Sequence, residues 1–290
     1  MSYPDKLEIV PLNKPPDAAV SVPGSKSITN RALVLASILS RSLDCELHGA
    51  LRSEDTEIMI DCLRRLGYRL DVNWADNGHI IVNSGDSDFD HPVKKADLFV
   101  GNSGTTMRFL TALAARGCTL CTEPYQRYLL DGVPRMRERP IEDLLSALRQ
   151  LGVHASSVNG NGCPPVVIES RGLVGGTVQI RGDISSQFLS ALLMIAPEAD
   201  SDIIIQLEGP LVSRPYVEMT LAMMRQMADY DIDTSTPGVW REPEPGPRLA
   251  WVDPDSLLGC VSREEEHHEE HRQAGGRHGH GPAVCPEGRG

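Results

Sequence analysis

Three segments of this chain open apolar stretches with side chains suited to holding an anion. Ser25-Lys26-Ser27 runs on to Arg31, Ser103-Gly104-Thr105-Thr106 runs on to Arg108, and Ser185-Ser186-Gln187 begins the third. Each places hydroxyls or amides on a first helical turn, where unpaired backbone N–H groups and the positive end of the helix dipole favour negative charge. The chemistry expected of them is phosphate or carboxylate binding. Their spacing, 78 residues from Ser25 to Ser103 and 82 from Ser103 to Ser185, implies one structural unit used three times.

Further groups belong with them. Asp131-Gly132-Val133-Pro134-Arg135-Met136-Arg137-Glu138-Arg139-Pro140 carries three arginines at alternate positions, which an extended run would point the same way. Guanidinium forks match phosphate geometry. Ser213-Arg214-Pro215-Tyr216 adds a hydroxyl and a phenol. No histidine lies within these motifs, so a serine nucleophile has no local base. The glycines around Ser103 form neither a Gly-Lys-Ser/Thr phosphate loop nor a GxGxxG dinucleotide fingerprint. Cys118 and Cys121 make a lone CxxC, and His267, His268, His271, His278 and His280 lack a rigid frame. No metal site is expected.

The elements that must position these groups repeat as well. Leu63-Arg64-Arg65-Leu66-Gly67, Leu148-Arg149-Gln150-Leu151-Gly152 and Met224-Arg225-Gln226-Met227-Ala228 share one pattern, 85 and 76 residues apart. Each reads as a helix end, with Arg on the negative pole of the dipole and Gly in a left-handed position in two copies. Ile28, Ala32, Leu35, Ala36 and Leu39 place an apolar stripe on one face of the first helix, which is expected to bury that side only. Ser53 caps a second helix. Strand-like runs such as Leu98-Phe99-Val100 and Thr177-Val178-Gln179-Ile180 precede the later anion sites. The unit therefore reads as strand, helix, strand, helix, strand, with one or two short strands more, in an α/β fold. Lys6 to Leu12 reads as a separate strand.

At 290 residues and 40% apolar content the chain can bury a real core. Net charge is −12, which argues against broad nucleic-acid binding and requires local Arg and Lys to hold any anion. Residues 231–290 contain 12 acidic residues, 6 arginines and no lysine, with no sustained period. That stretch reads as a disordered tail. Seven dispersed cysteines point to reduced thiols. With no signal-like start and no apolar run near the roughly 18 residues of a membrane span, a soluble cytoplasmic protein is expected; it is taken to be a monomer.

The motifs Pro23 to Ala32, Gly101 to Arg108, Gly132 to Pro140, Ser185 to Phe188 and Leu211 to Tyr216 closely resemble those of bacterial 5-enolpyruvylshikimate-3-phosphate (EPSP) synthases. The resemblance runs from about residue 6 to 232. A related transferase acting on UDP-N-acetylglucosamine shares the architecture and is the alternative. The family implies an inverted α/β, prism-like domain of three repeated units. Residues 17–233 would be that domain, residues 1–16 the first strand of a second lobe otherwise absent, and residues 234–290 an unrelated tail. Carried over by motif, Lys26, Ser27, Arg31, Ser185, Ser186, Gln187, Ser213 and Tyr216 would bind shikimate 3-phosphate. Lys26, Asn102, Gly104, Arg135 and Gln187 would bind phosphoenolpyruvate. Lys26 and Gln187 would assist catalysis, with the general base in the missing half. No metal or organic cofactor is implied, and the partners are these two small molecules. The implied reaction is enolpyruvyl transfer to the shikimate 5-hydroxyl with release of phosphate, with an inactive, ligand-binding fragment as the second reading.

Overall fold

A computed structural model of the chain describes residues 23–40, 43–84, 93–117, 126–228 and 249–252, with single positions ahead of residue 23. The strand expected over residues 6–12 and most of the expected tail lie outside these residues. The first unit contains α1 (Lys26–Leu39), β1 (Cys45–Leu47), α2 (Glu54–Arg65), β2 (Arg69–Asn73) and β3 (His79–Asn83). The second contains β4 (Lys95–Phe99), α3 (Gly104–Ala115), β5 (Gln126–Asp131), α4 (Glu142–Gln150), β6 (His154–Ser157) and β7 (Val166–Ser170). The third contains β8 (Gly176–Arg181), α5 (Ser186–Ile195), β9 (Ile203–Glu208) and α6 (Arg214–Ala228), and β10 (Leu249–Val252) follows. The strand, helix, strand, helix reading is the order observed in the second and third units, while the first begins with α1 among the described residues.

Sheet topology repeats with the sequence. In the second unit β4 and β5 are parallel, and β7 lies antiparallel between β5 and β6. In the first, β3 lies antiparallel between β1 and β2 in the same way. The third unit departs after its second helix. β8 and β9 are parallel, but β10 occupies the place next to β9 in parallel rather than antiparallel orientation. Leu249–Val252 falls within the stretch read from the sequence as a tail. A four-residue apolar run suffices to add a strand to an open edge, whatever the composition around it.

The sheets show one face to water and one to the helices, as the alternating burial of β9 illustrates. The helices fill the interior. Every residue of α3 from Thr105 to Ala115 is buried, so its apolar character extends all round. The expectation that α1 buries one side only is wrong. From Thr29 to Ile38 all but Ala32 are buried, because α2, α3, α5 and α6 surround the helix, and Ile28 of the predicted stripe is 44% exposed. Its polar residues Thr29, Asn30, Arg31 and Ser37 lie inside the protein.

Helix ends follow the sequence signals. Gly67 and Gly152 adopt φ of 100° and 88°, the left-handed conformation that closes α2 and α4. The arginine of each terminal motif does more than face the dipole. Arg64 donates to the carbonyl of Leu70 at 2.7 Å and Arg149 to that of Ala155 at 2.9 Å, each latching the helix to the next strand six residues on. Ser53 caps α2 as expected, accepting from the Thr56 amide while the Thr56 hydroxyl accepts from the Ser53 amide.

Candidate functional site

The starts of α1, α3, α5 and α6 meet at a cavity of about 380 Å³. Lys26, Ser27 and Arg31 line it from α1, and Thr105 from α3. Ile184, Ser185, Ser186 and Gln187 line it from the start of α5, and Val212, Ser213 and Tyr216 from the turn into α6. All eight residues expected on the shikimate 3-phosphate side are therefore brought together. Among the described residues no Asp, Glu or His lines this cavity. In a chain of net charge −12, a pocket of hydroxyls, an amide, one ammonium and one guanidinium is a local positive well.

The three helix starts differ in how far their serines are free. Ser25 makes no side-chain cap, whereas Ser103 accepts from the Thr106 amide at 3.3 Å and Ser185 from the Gln187 amide at 3.2 Å. Ser103 is buried, so Thr105 rather than Ser103 faces the cavity. Ser213 holds φ at 54°, a left-handed conformation that costs a non-glycine residue about 1–2 kcal/mol. Its carbonyl accepts from the Tyr216 amide at 3.0 Å, fixing the turn that brings both residues to the cavity.

Arg31 is the most constrained member. Its Nε donates to Thr220 Oγ1 at 2.7 Å, Nη1 to the Ser27 carbonyl at 2.9 Å, and Nη2 to Ser190 Oγ at 3.2 Å and the Tyr216 carbonyl at 3.4 Å. The guanidinium also lies 5.1 Å from the centroid of Phe109 and 5.8 Å from that of Tyr216. Burial lowers its pKa to about 10, so it remains cationic at neutral pH. Four of its five N–H groups serve the protein, leaving one on Nη1. Lys26 is freer, at 47% side-chain exposure, and its Nζ is held 2.8 Å from Asp55 Oδ2 at the start of α2.

The residues expected for phosphoenolpyruvate are less gathered. Lys26 and Gln187 line the cavity; Asn102, Gly104 and Arg135 do not. Exposed Arg135 pairs with Glu138. The three alternate arginines do not point one way, because Met136–Glu138 forms a 3₁₀ turn instead of an extended run. Arg137 turns to Asp131, while Arg139 donates to the Asn102 carbonyl at 3.5 Å. Gly104 sits where a side chain would not fit easily: a Cβ there would stand 2.8 Å from Arg108 Nη1 and 2.9 Å from Arg139 Nη1. Two guanidinium groups thus flank the start of α3. Arg108 is 8% exposed, its Nε lacks a partner among the described residues, and burial followed by repulsion from Arg139 lowers its pKa to about 10.

Several contributors were not found from sequence. Asp55 reads there as a first-turn acid of α2, and only the packing of α2 beside α1 makes it the partner of Lys26. Thr220 and Ser190 read as polar positions in apolar helices, and their service to Arg31 spans 189 and 159 residues. Arg108 closes its motif, yet nothing in the spacing marks it as buried.

Residues 12–250 match the family model described as EPSP synthase (3-phosphoshikimate 1-carboxyvinyltransferase). The chain is 44% identical over 231 residues to the 3-phosphoshikimate 1-carboxyvinyltransferase of Trichormus variabilis, covering 80% of this chain and 51% of that protein. It is 43% identical over 224 residues to the one from Shewanella pealeana, covering 77% and 49%. The fold is that of the EPSP synthase structure from Acinetobacter baumannii, with a TM-score of 0.59 and 21% identity over 81% of this chain and 47% of the other. The chain thus spans about half the length of the relatives it matches. The motifs at the cavity, the repeated topology and the match over residues 12–250 establish that the chain belongs to the EPSP synthase family.

Proposed function

We propose that the cavity binds shikimate 3-phosphate and that the chain supplies this part of the site for enolpyruvyl transfer from phosphoenolpyruvate. The observation that carries the reading is the convergence of Lys26, Ser27, Arg31, Ser185, Ser186, Gln187, Ser213 and Tyr216 on one cavity that no acidic side chain lines among the described residues. Its size is near the lower end for small-molecule sites, roughly 300–1,000 Å³, and suits a compact phosphorylated acid better than a UDP-sugar. Ser185, Ser186 and Ser213 hold the phosphate with the amides of α5, and Tyr216 borders the ring. Lys26 and the free N–H of Arg31 face the carboxylate and hydroxyls.

Phosphoenolpyruvate lies, in this reading, between Lys26 and Gln187 on one side and Gly104 on the other, with Arg108 and Arg139 supplying positive potential. Arg135 joins only after leaving Glu138. The reaction adds the shikimate 5-hydroxyl to C2 of phosphoenolpyruvate as C3 takes up a proton, then loses a C3 proton with phosphate, so a base must take the hydroxyl proton and an acid must supply C3. Among the described residues the cavity lining offers no carboxylate or imidazole for either role. Free Cys45, Cys62 and Cys163, the last half-buried, fit a reducing, cytoplasmic setting.

Calorimetric titration of the 290-residue chain with shikimate 3-phosphate, beside a phosphate-release assay with both substrates, tests this. One-to-one binding is expected, weakened about 10- to 100-fold by Lys26→Ala or Ser186→Ala, as for loss of a charge-assisted hydrogen bond. Turnover by the chain alone is expected to be negligible. Absence of binding would refute the assignment, and turnover unaffected by these substitutions would refute the roles given to both residues.

A further inference from the structure

Away from this cavity, the first sheet gathers three side chains with no part in substrate binding. Glu46 lies on β1, His48 two residues on, and His79 begins β3, which pairs antiparallel with β1. The register sets Leu47 opposite Ile80, so Glu46, His48 and His79 share the face opposite to that of Ile80 and Val82. Their ligand atoms all lie within 4.8 Å of one another. Glu46 Oε2 is 3.5 Å from His48 Nε2 and 3.6 Å from His79 Nε2. These separations are close to the edge of a tetrahedron with metal bonds of about 2.0–2.1 Å.

A second feature points to a cation. His79 Nδ1 lies 3.7 Å from Asp76 Oδ2, so a carboxylate stands beside the ring nitrogen turned away from Glu46. Nε2 is buried, has no hydrogen-bond partner among the described residues, and lies 3.6 Å from a carboxylate oxygen. A carboxylate beside the second ring nitrogen is the arrangement that orients zinc-ligating histidines.

We propose that Glu46, His48 and His79 form a Zn²⁺ site on the outer face of the first sheet, with Asp76 as the positioning residue for His79. The donor set of two imidazoles and a carboxylate suits zinc and leaves a fourth position for water. His48 and His79 are stacked, with ring centroids 4.5 Å apart and planes 5° from parallel, so both rings cannot aim their lone pairs at one ion as they stand. His48, whose side chain is 68% exposed, is the one that turns. Glu46 is exposed as well as His48, so an ion reaches both from solvent. The site joins β1 to β3 and is separate from the residues that line the substrate cavity.

The test uses the full chain with His267, His268, His271, His278 and His280 replaced by Ala, so that those side chains contribute nothing. Titration with Zn²⁺ is expected to show one site, with affinity falling at least tenfold in His48→Ala and in Glu46→Gln. Titration with Co²⁺ is expected to give d–d absorption without a thiolate charge-transfer band, which separates this site from the cysteines. Because exposed His48 contributes little to packing, His48→Ala keeps the fold even where His79→Ala does not. Affinity unchanged in both His48→Ala and Glu46→Gln, a thiolate band, or no binding at all would overturn the proposal.

Discussion

Ser213 carries two burdens that pull in opposite directions. Its left-handed φ of 54° costs backbone energy, while its hydroxyl faces the cavity. Ser213→Gly relieves the first and removes the second. Thermal unfolding is expected to show a stability within about 1 kcal/mol of the parent, because relief of strain is offset by a more flexible unfolded chain. Affinity for shikimate 3-phosphate is expected to drop about tenfold in the same protein. Arg31 behaves otherwise. Its donors hold α1 to Thr220 and Ser190 in the interior, so Arg31→Met is expected to lower unfolding free energy by about 3 kcal/mol as well as weaken ligand binding. If Arg31→Met left denaturant midpoints unchanged, the internal role assigned here would be wrong. The sequence motif gave Arg31 its place at the site but not these duties, since the helices that supply its partners are distant in the chain.

Elements differ in whether their caps serve stability or the ligand. Ser53 caps α2 away from the cavity, whereas Ser185 caps α5 and lines it. Ser53→Ala is expected to cost about 1 kcal/mol in denaturant unfolding with affinity unchanged, and Ser185→Ala to cost both stability and affinity. The turn after β5 adds a pH dependence. Hydrogen bonds from Arg137, aided by the Gly132 amide, hold the Asp131 pKa below 3.8. A depressed carboxylate pKa stabilises the fold above the unfolded value and loses that contribution as pH falls through the folded one. Urea midpoints are therefore expected to decline below about pH 4, and Asp131→Asn to be weaker at pH 7 with a shallower acid decline. The start of each helix was readable because capping is local. The fan of Arg135, Arg137 and Arg139 was not, because alternate spacing aligns side chains only in extended backbone and the chain makes a 3₁₀ turn there. Nor was the cluster of Glu46, His48 and His79, which exists only through the register of β1 on β3.

Across the whole molecule the threefold repeat is what assembles the site. Successive βα units direct the starts of α1, α3 and α5 toward one end, so hydroxyls from Ser27 to Ser213 reach one cavity. Spacing of the serine motifs made that repeat readable, and the first two copies share even the arginine latches from Arg64 and Arg149. The third copy's departure, with β10 parallel to β9, could not be read because strand direction depends on how a distant segment returns to the sheet edge. The account stands or falls on where the phosphate binds. A crystal structure of the chain soaked with shikimate 3-phosphate is the most direct test. The phosphate is predicted within hydrogen-bond distance of Ser185, Ser186 and Ser213, with the carboxylate toward Lys26 and Arg31. Density for the ligand elsewhere, with those hydroxyls still facing solvent, would contradict it.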